Sequence, residues 1–133
     1  MTADDIYRIQ GIEQNQSLAV IYRGHDDANI YAVSEIIKAC PANKYIFADY
    51  DFAGLHLSYS LSQAINAKGI ILPNFDIPIS TLKSLSKNQS YLEQARIQNP
   101  NQYLTLHYQR LKENFLAITQ EGLLKFEVSL TVY

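Results

Sequence analysis

The chain has no tryptophan, one cysteine and no excess of positive charge. It also has no apolar stretch near the roughly 20 residues that a membrane-spanning helix needs. Each shortage removes something. The lone Cys40 can form neither an internal disulfide nor a cysteine-rich zinc site, and a free cysteine of this kind is expected to pack at a helix end rather than react. A formal net charge of −2 argues against a domain that grips nucleic acid alone through its phosphates, since such domains are ordinarily basic. Any nucleic-acid contact must then be local or shared with a partner. His25, His56 and His107 are scattered, without metal-ligand spacing. There is no internal repeat and no low-complexity segment. The N-terminus is polar and acidic, without a signal-peptide pattern. The expectation is a cytoplasmic protein, or a cytoplasmic fragment of a larger one, with no membrane contact.

What is present suits one globular domain over the 133 residues. Residues 1–16 read as an N-terminal helix, opened by a Thr2-x-x-Asp5 capping pattern that carries it to 13, or as a linker. Ser17 to Tyr22 is short, apolar and partly β-branched, as a buried strand is. Arg23-Gly24-His25-Asp26-Asp27 is the loop after it. Asp26 or Asp27 can cap a helix that shows Ile30, Val33, Ile36 and Ile37 on one face and stops at Pro41. A second strand is expected over 44–49 and a second helix over 53–68, with Gly69 as its left-handed cap. A third strand, Gly69 to Leu72, follows. Short connections between alternating strands and helices imply right-handed crossovers and a mostly parallel sheet flanked by helices. Two short helices are expected over 80–87 and 88–98. A longer one begins at Gln102, with Leu104, Tyr108, Leu111, Phe115 and Ile118 as its stripe. Thr119 to Gly122 interrupts that stripe, and 126–133 alternates like a final edge strand.

The chemistry concentrates in Ala48-Asp49-Tyr50-Asp51-Phe52-Ala53-Gly54-Leu55. An apolar run ends in two carboxylates one residue apart, then a small residue, a glycine and a helix. In open α/β sheets ligands bind beyond the carboxyl ends of the strands. Residues i and i+2 of extended chain point the same way, so Asp49 and Asp51 would share one small volume. Like charges that close are costly unless a cation neutralises them. A divalent metal follows, Mg2+ first and Mn2+ as its substitute.

A strand ending in Asp-x-Asp before a small residue, a glycine and a helix resembles the second half of the Toprim signature, shared by topoisomerases, primases and several nucleases. The wording Asp49-Tyr50-Asp51-Phe52-Ala53-Gly54-Leu55 is most similar to the C-terminal Toprim-like domain of the nuclease subunit in Wadjet-type plasmid-defence systems, which is related to topoisomerase VI. Gln120-Glu121 matches a Gln-Glu pair typical near the end of that domain. The resemblance covers about residues 17–125. It implies a Toprim/Rossmann-like fold and Mg2+-dependent phosphodiester chemistry on DNA, a nuclease acting inside a larger assembly in plasmid or phage defence. It assigns metal and catalytic roles to Asp49, Asp51 and Glu121; Asp26 or Asp27 would serve as a further ligand if the loop after the first strand bends back. Lys83 and Lys87, or Arg110, would hold flanking phosphates. The chain departs from the family at one place: a glutamate is expected after the first strand, and Arg23 or a neighbour stands there. An arginine already holds its proton, and facing two aspartates it would supply the neutralising charge itself.

Each feature also has a plainer reading. Asp51 can be a helix cap with Asp49 solvated, Asp26-Asp27 a cap, Gln120-Glu121 a surface pair, and Lys83 and Lys87 a solvated face. The stripe from Leu104 to Ile118 can be core or a subunit interface, so a homo- or hetero-oligomer is open. The two functional expectations are therefore a Mg2+-dependent phosphodiester enzyme, reaching DNA through a partner protein or a further domain, and a catalytically degenerate Toprim-like domain that serves as an interaction or regulatory module.

Overall fold

The computed structural model describes residues 9–12, 18–22, 37–39, 41–86 and 102–133. Within them the chain is mixed α/β. The strands are β1 (Leu18–Tyr22), β2 (Asn43–Phe47), β3 (Gly69–Pro73) and β4 (Leu130–Val132). The helices are α1 (Phe52–Ile65), α2 (Ile79–Leu85), α3 (Gln102–Asn114) and α4 (Gln120–Lys125). The sheet has the order β1-β2-β3-β4. β1 pairs parallel with β2 and β2 with β3, whereas β4 lies antiparallel on β3. No helix among the described residues is long and apolar enough to cross a membrane.

Alternation along β2 builds the core. Tyr45 and Phe47 face a large cluster with Leu55, Ile71, Leu82, Leu104, Leu111 and Leu123. Ile46, one step out of phase, faces a smaller cluster with Leu61 and Ile65 of α1, against which Ile37 packs. A strand covered on both faces explains why 45–48 reads as one unbroken apolar run. Lys44 is 8% exposed, and its Nζ donates to the carbonyls of Ile37 and Lys38 at 3.2 and 2.9 Å, closing off residues 37–39, which are helical. The rest of the helix expected before Pro41, the helix expected over 88–98, Cys40 and residues 1–8 lie outside the described residues.

Several boundaries move for identifiable reasons. The capping pattern at Thr2 would carry a helix to 13, yet Gln10 pairs with β4: its N–H donates to Leu130 O at 3.0 Å, and its carbonyl accepts from Val132 N–H at 2.9 Å. Gly11, at φ +96, lies against Val132. The left-handed cap of α1 is Asn66, at φ 54 and ψ 49, not Gly69. Gly69 is small for another reason: a Cβ there would collide with Val132 Cγ1 and stand 3.0 Å from Tyr133 O. α3 ends at Asn114 because Phe115 turns to φ 52 and is 69% exposed. Ile118, expected on the same helical stripe, is instead bridged to Tyr50.

Gly69→Ala is expected to lower folding stability by about 1–3 kcal/mol, the usual cost of overpacking. Urea unfolding of the two proteins measures it. An unchanged midpoint would mean that β4 moves aside freely.

Candidate functional site

After β2 ends at Phe47, extended backbone sends successive side chains to opposite sides. Tyr50 turns inward and is 0% exposed. Its N–H donates to Ile118 O at 2.7 Å, and its carbonyl accepts from Ile118 N–H at 3.1 Å. Its hydroxyl lies 2.7 Å from His107 Nδ1. The neighbours on either side, Asp49 and Asp51, are left half-buried at the strand's carboxyl end.

Each carboxylate meets the start of a helix. Asp51 is the N-cap of α1, and its Oδ1 accepts the Gly54 N–H at 2.6 Å. Asp49 Oδ1 accepts the N–H of Gln120, the first residue of α4, at 2.8 Å and across 71 residues of sequence. The partial positive charge at two helix N-termini therefore offsets part of the cost of placing two carboxylates together. It does not offset all of it. Burial pushes the Asp51 pKa up from the ordinary 3.8, the Gly54 N–H pulls it down, and the charge of Asp49 pushes it up again. Gly54 follows from closeness: a Cβ there would collide with Asp49 O and stand 3.0 Å from Asp51 Oδ1.

The Gln-Glu step thus sits beside the acidic loop. Gln120 is 3% exposed, and its Oε1 is buried with no hydrogen-bond partner among the described residues. Glu121 follows it in the first turn of α4, on the exposed side. Lys83 is exposed in the last turn of α2. Asp26, Lys87 and the Arg23 that replaces the expected glutamate lie outside the described residues. Arg110, expected to hold a phosphate, is spent on the fold instead. It is 7% exposed, and its guanidinium donates to the carbonyls of Pro73, Asn74 and Ile77 at 3.3, 3.0 and 3.0 Å, holding the turn after β3.

His107 had no role in the sequence reading, yet it is wholly buried. It stacks on Phe75 at 4.2 Å between ring centroids and meets Tyr133 edge-on at 4.7 Å. Burial, with the Arg110 charge beside it, pushes its pKa down to about 3. Helical spacing carried the signal, since Leu104, His107 and Leu111 fall on one face of α3.

Among the described residues no three of His, Cys, Asp and Glu converge as metal ligands. Mg2+ does not require three, because it is often held by one or two carboxylates together with water and substrate phosphate. Asp49 and Asp51 supply hard oxygen donors of that kind.

The family described as "Domain of unknown function (DUF7281)" matches residues 2–132, and the chain belongs to it. No curated protein and no solved structure matches the chain.

The two titrating groups give stability opposite dependences on pH. Asp51 binds its proton more tightly folded than unfolded, so stability falls as pH rises from about 4 through its raised pKa. Asp51→Asn keeps the cap oxygen and removes the charge. At pH 7 it should be at least as stable as the wild type, whereas Asp51→Ala should lose about 1 kcal/mol with the cap. His107 binds its proton less tightly when folded, so stability is full above about pH 6.5 and drains away toward about pH 3. A His107→Gln variant should show a shallower loss in urea titrations repeated between pH 7 and pH 4. An acid dependence identical to the wild type would show that His107 is protonated in the fold.

Proposed function

We propose that this member of the DUF7281 family is a Toprim-like domain whose acidic loop holds Mg2+ for phosphodiester chemistry on nucleic acid, similar to the nuclease subunit of Wadjet-type systems. One observation carries the reading. The Asp-x-Asp loop and the Gln-Glu step, which the resemblance couples, meet at 2.8 Å between Asp49 and Gln120 although 71 residues separate them. Asp49 and Asp51 would hold the metal, with Glu121 next to Gln120 as the nearby carboxylate. Bound there, Mg2+ would stabilise the negative charge that builds on a phosphodiester oxygen in the transition state.

The chain's own residues set the geometry. Tyr50 fixes the loop from beneath, and Gly54 lets the start of α1 close on it. With Arg110 committed to backbone carbonyls and a net charge of −2, the grip on DNA is assigned to a partner protein or a further domain. Mn2+ would serve as a substitute ion at the same oxygens.

A second reading rests on a different observation. Both carboxylates already take a helix N–H, so the acidic loop has structural work without any metal. On that reading the domain is a degenerate Toprim relative acting as an interaction or regulatory module.

Isothermal titration of Mg2+ and Mn2+ separates the two, with an Asp49→Asn, Asp51→Asn double variant as the control because it keeps both acceptor oxygens. The metal reading expects saturable binding by the wild type and none by the folded double variant. A wild type that takes up neither ion leaves the interaction module.

A further inference from the structure

We infer that the cleft at the carboxyl end of β3 is a docking site for an arginine side chain presented by a partner protein; the inference is independent of the acidic loop and of any metal. The turn after β3, the start of α2 and the segment between α4 and β4 border a cavity of about 390 Å3. Sites for small ligands span roughly 300–1,000 Å3. Asp76 comes from the turn and Glu127 from the segment before β4, and no lysine, arginine or histidine lines the space. Thr81 and Ser129 add hydroxyls, and Ile77 and Val128 add apolar surface. Among the described residues no hydrogen bond or ion pair engages the carboxylate of Asp76 or of Glu127.

Both walls are held by other groups, which leaves the carboxylates to a ligand. Arg110 donates to the carbonyls of Pro73, Asn74 and Ile77, and Asn74 Oδ1 accepts the Asp76 N–H at 2.7 Å, so the turn has its shape before any ligand arrives. On the other side α4 closes with the N–H groups of Phe126, Glu127 and Val128 on the carbonyls of Gly122, Leu124 and Leu123. Glu127 sits there at φ 52, in a left-handed helix end where glycine is the usual residue. The sequence keeps a charged side chain where the backbone alone favours none. Phe126 beside it is 59% exposed and lines the cavity, and its ring already has the Lys125 ammonium 5.6 Å away. Two carboxylates and an aromatic ring on one cleft suit a guanidinium, which donates to carboxylates from its edge and stacks by its face. Asp76, Thr81, Phe126 and Glu127 are all exposed, so the cleft is open. A long side chain can enter it while the chain that carries it stays outside, whereas a free small molecule would be left largely in water.

The test is an amide NMR titration of the whole chain. The probe is a capped peptide with one arginine among alanines, set against the same peptide carrying citrulline, the uncharged isostere, and against methylguanidinium alone. The arginine peptide should give saturable shifts at the amides of 74–81 and 126–129, and the citrulline peptide none. Asp76→Asn and Glu127→Gln should each weaken binding about threefold to fivefold, as the loss of a partly exposed charge pair does. Glu113→Gln, which removes an exposed carboxylate on α3, should leave it unchanged. Glu127→Gly should also lose binding yet melt at or above the wild-type temperature, since glycine suits a positive φ. The inference is overturned by a titration without saturable shifts at those amides, by equal binding of the citrulline peptide, by wild-type affinity in either carboxylate variant, or by an equal loss in Glu113→Gln. A lower melting temperature of Glu127→Gly overturns it too, because the side chain would then be bonded within the fold. Methylguanidinium that binds as tightly as the peptide overturns partner docking in favour of a small-molecule site.

Discussion

The acidic loop depends on Tyr50. Two main-chain bonds tie it to Ile118, and its hydroxyl meets His107 in the interior of α3. A tyrosine so deeply buried does not ionise: burial raises its pKa far above the ordinary 10, although the Arg110 charge opposes this. The hydroxyl therefore remains a fixed neutral dipole. Because side chains alternate in extended chain, anchoring Tyr50 inward turns Asp49 and Asp51 outward as a pair. The residue between the two carboxylates is thus the one that aligns them, and it does so through the C-terminal half of the chain.

That arrangement gives the loop two simultaneous loyalties. Each aspartate completes a helix start, one at Gly54 and one at Gln120. The same helix ends stabilise each carboxylate, while burial first, and the Asp49 charge after it, push the Asp51 pKa up. Arg110 faces the carbonyls after β3 and lies 5.7 Å over the ring of Phe75.

The parts legible in the sequence were those set by local pattern. The run 45–48 declared a strand, and Asp-x-Asp before a glycine declared a strand, turn and helix. Asp51 as cap followed from the chemistry of aspartate. The parts that stayed hidden are fixed by contacts distant in sequence. Nothing near Gly69 says that Val132 lies against it, so the glycine reads as a helix cap. Nothing near Phe115 says that α3 must end there for Ile118 to reach Tyr50. Arg110 reads as a surface cation because the three carbonyls it satisfies lie more than 30 residues away. The Gln-Glu step was legible only through resemblance; its contact with Asp49 is a product of the fold.

Gln10 closes against β4 on the edge away from β3, so β4 is bonded along both sides. Those bonds join residues about as far apart in sequence as this chain allows. Such closures are slow, because the loop entropy must be spent before the contact gives anything back. During synthesis, residues 9–12 emerge long before their partner exists and must wait with Ile9 and Ile12 uncovered. Until β4 is captured between β3 and this early segment, β3 keeps an open edge on which other chains can pair.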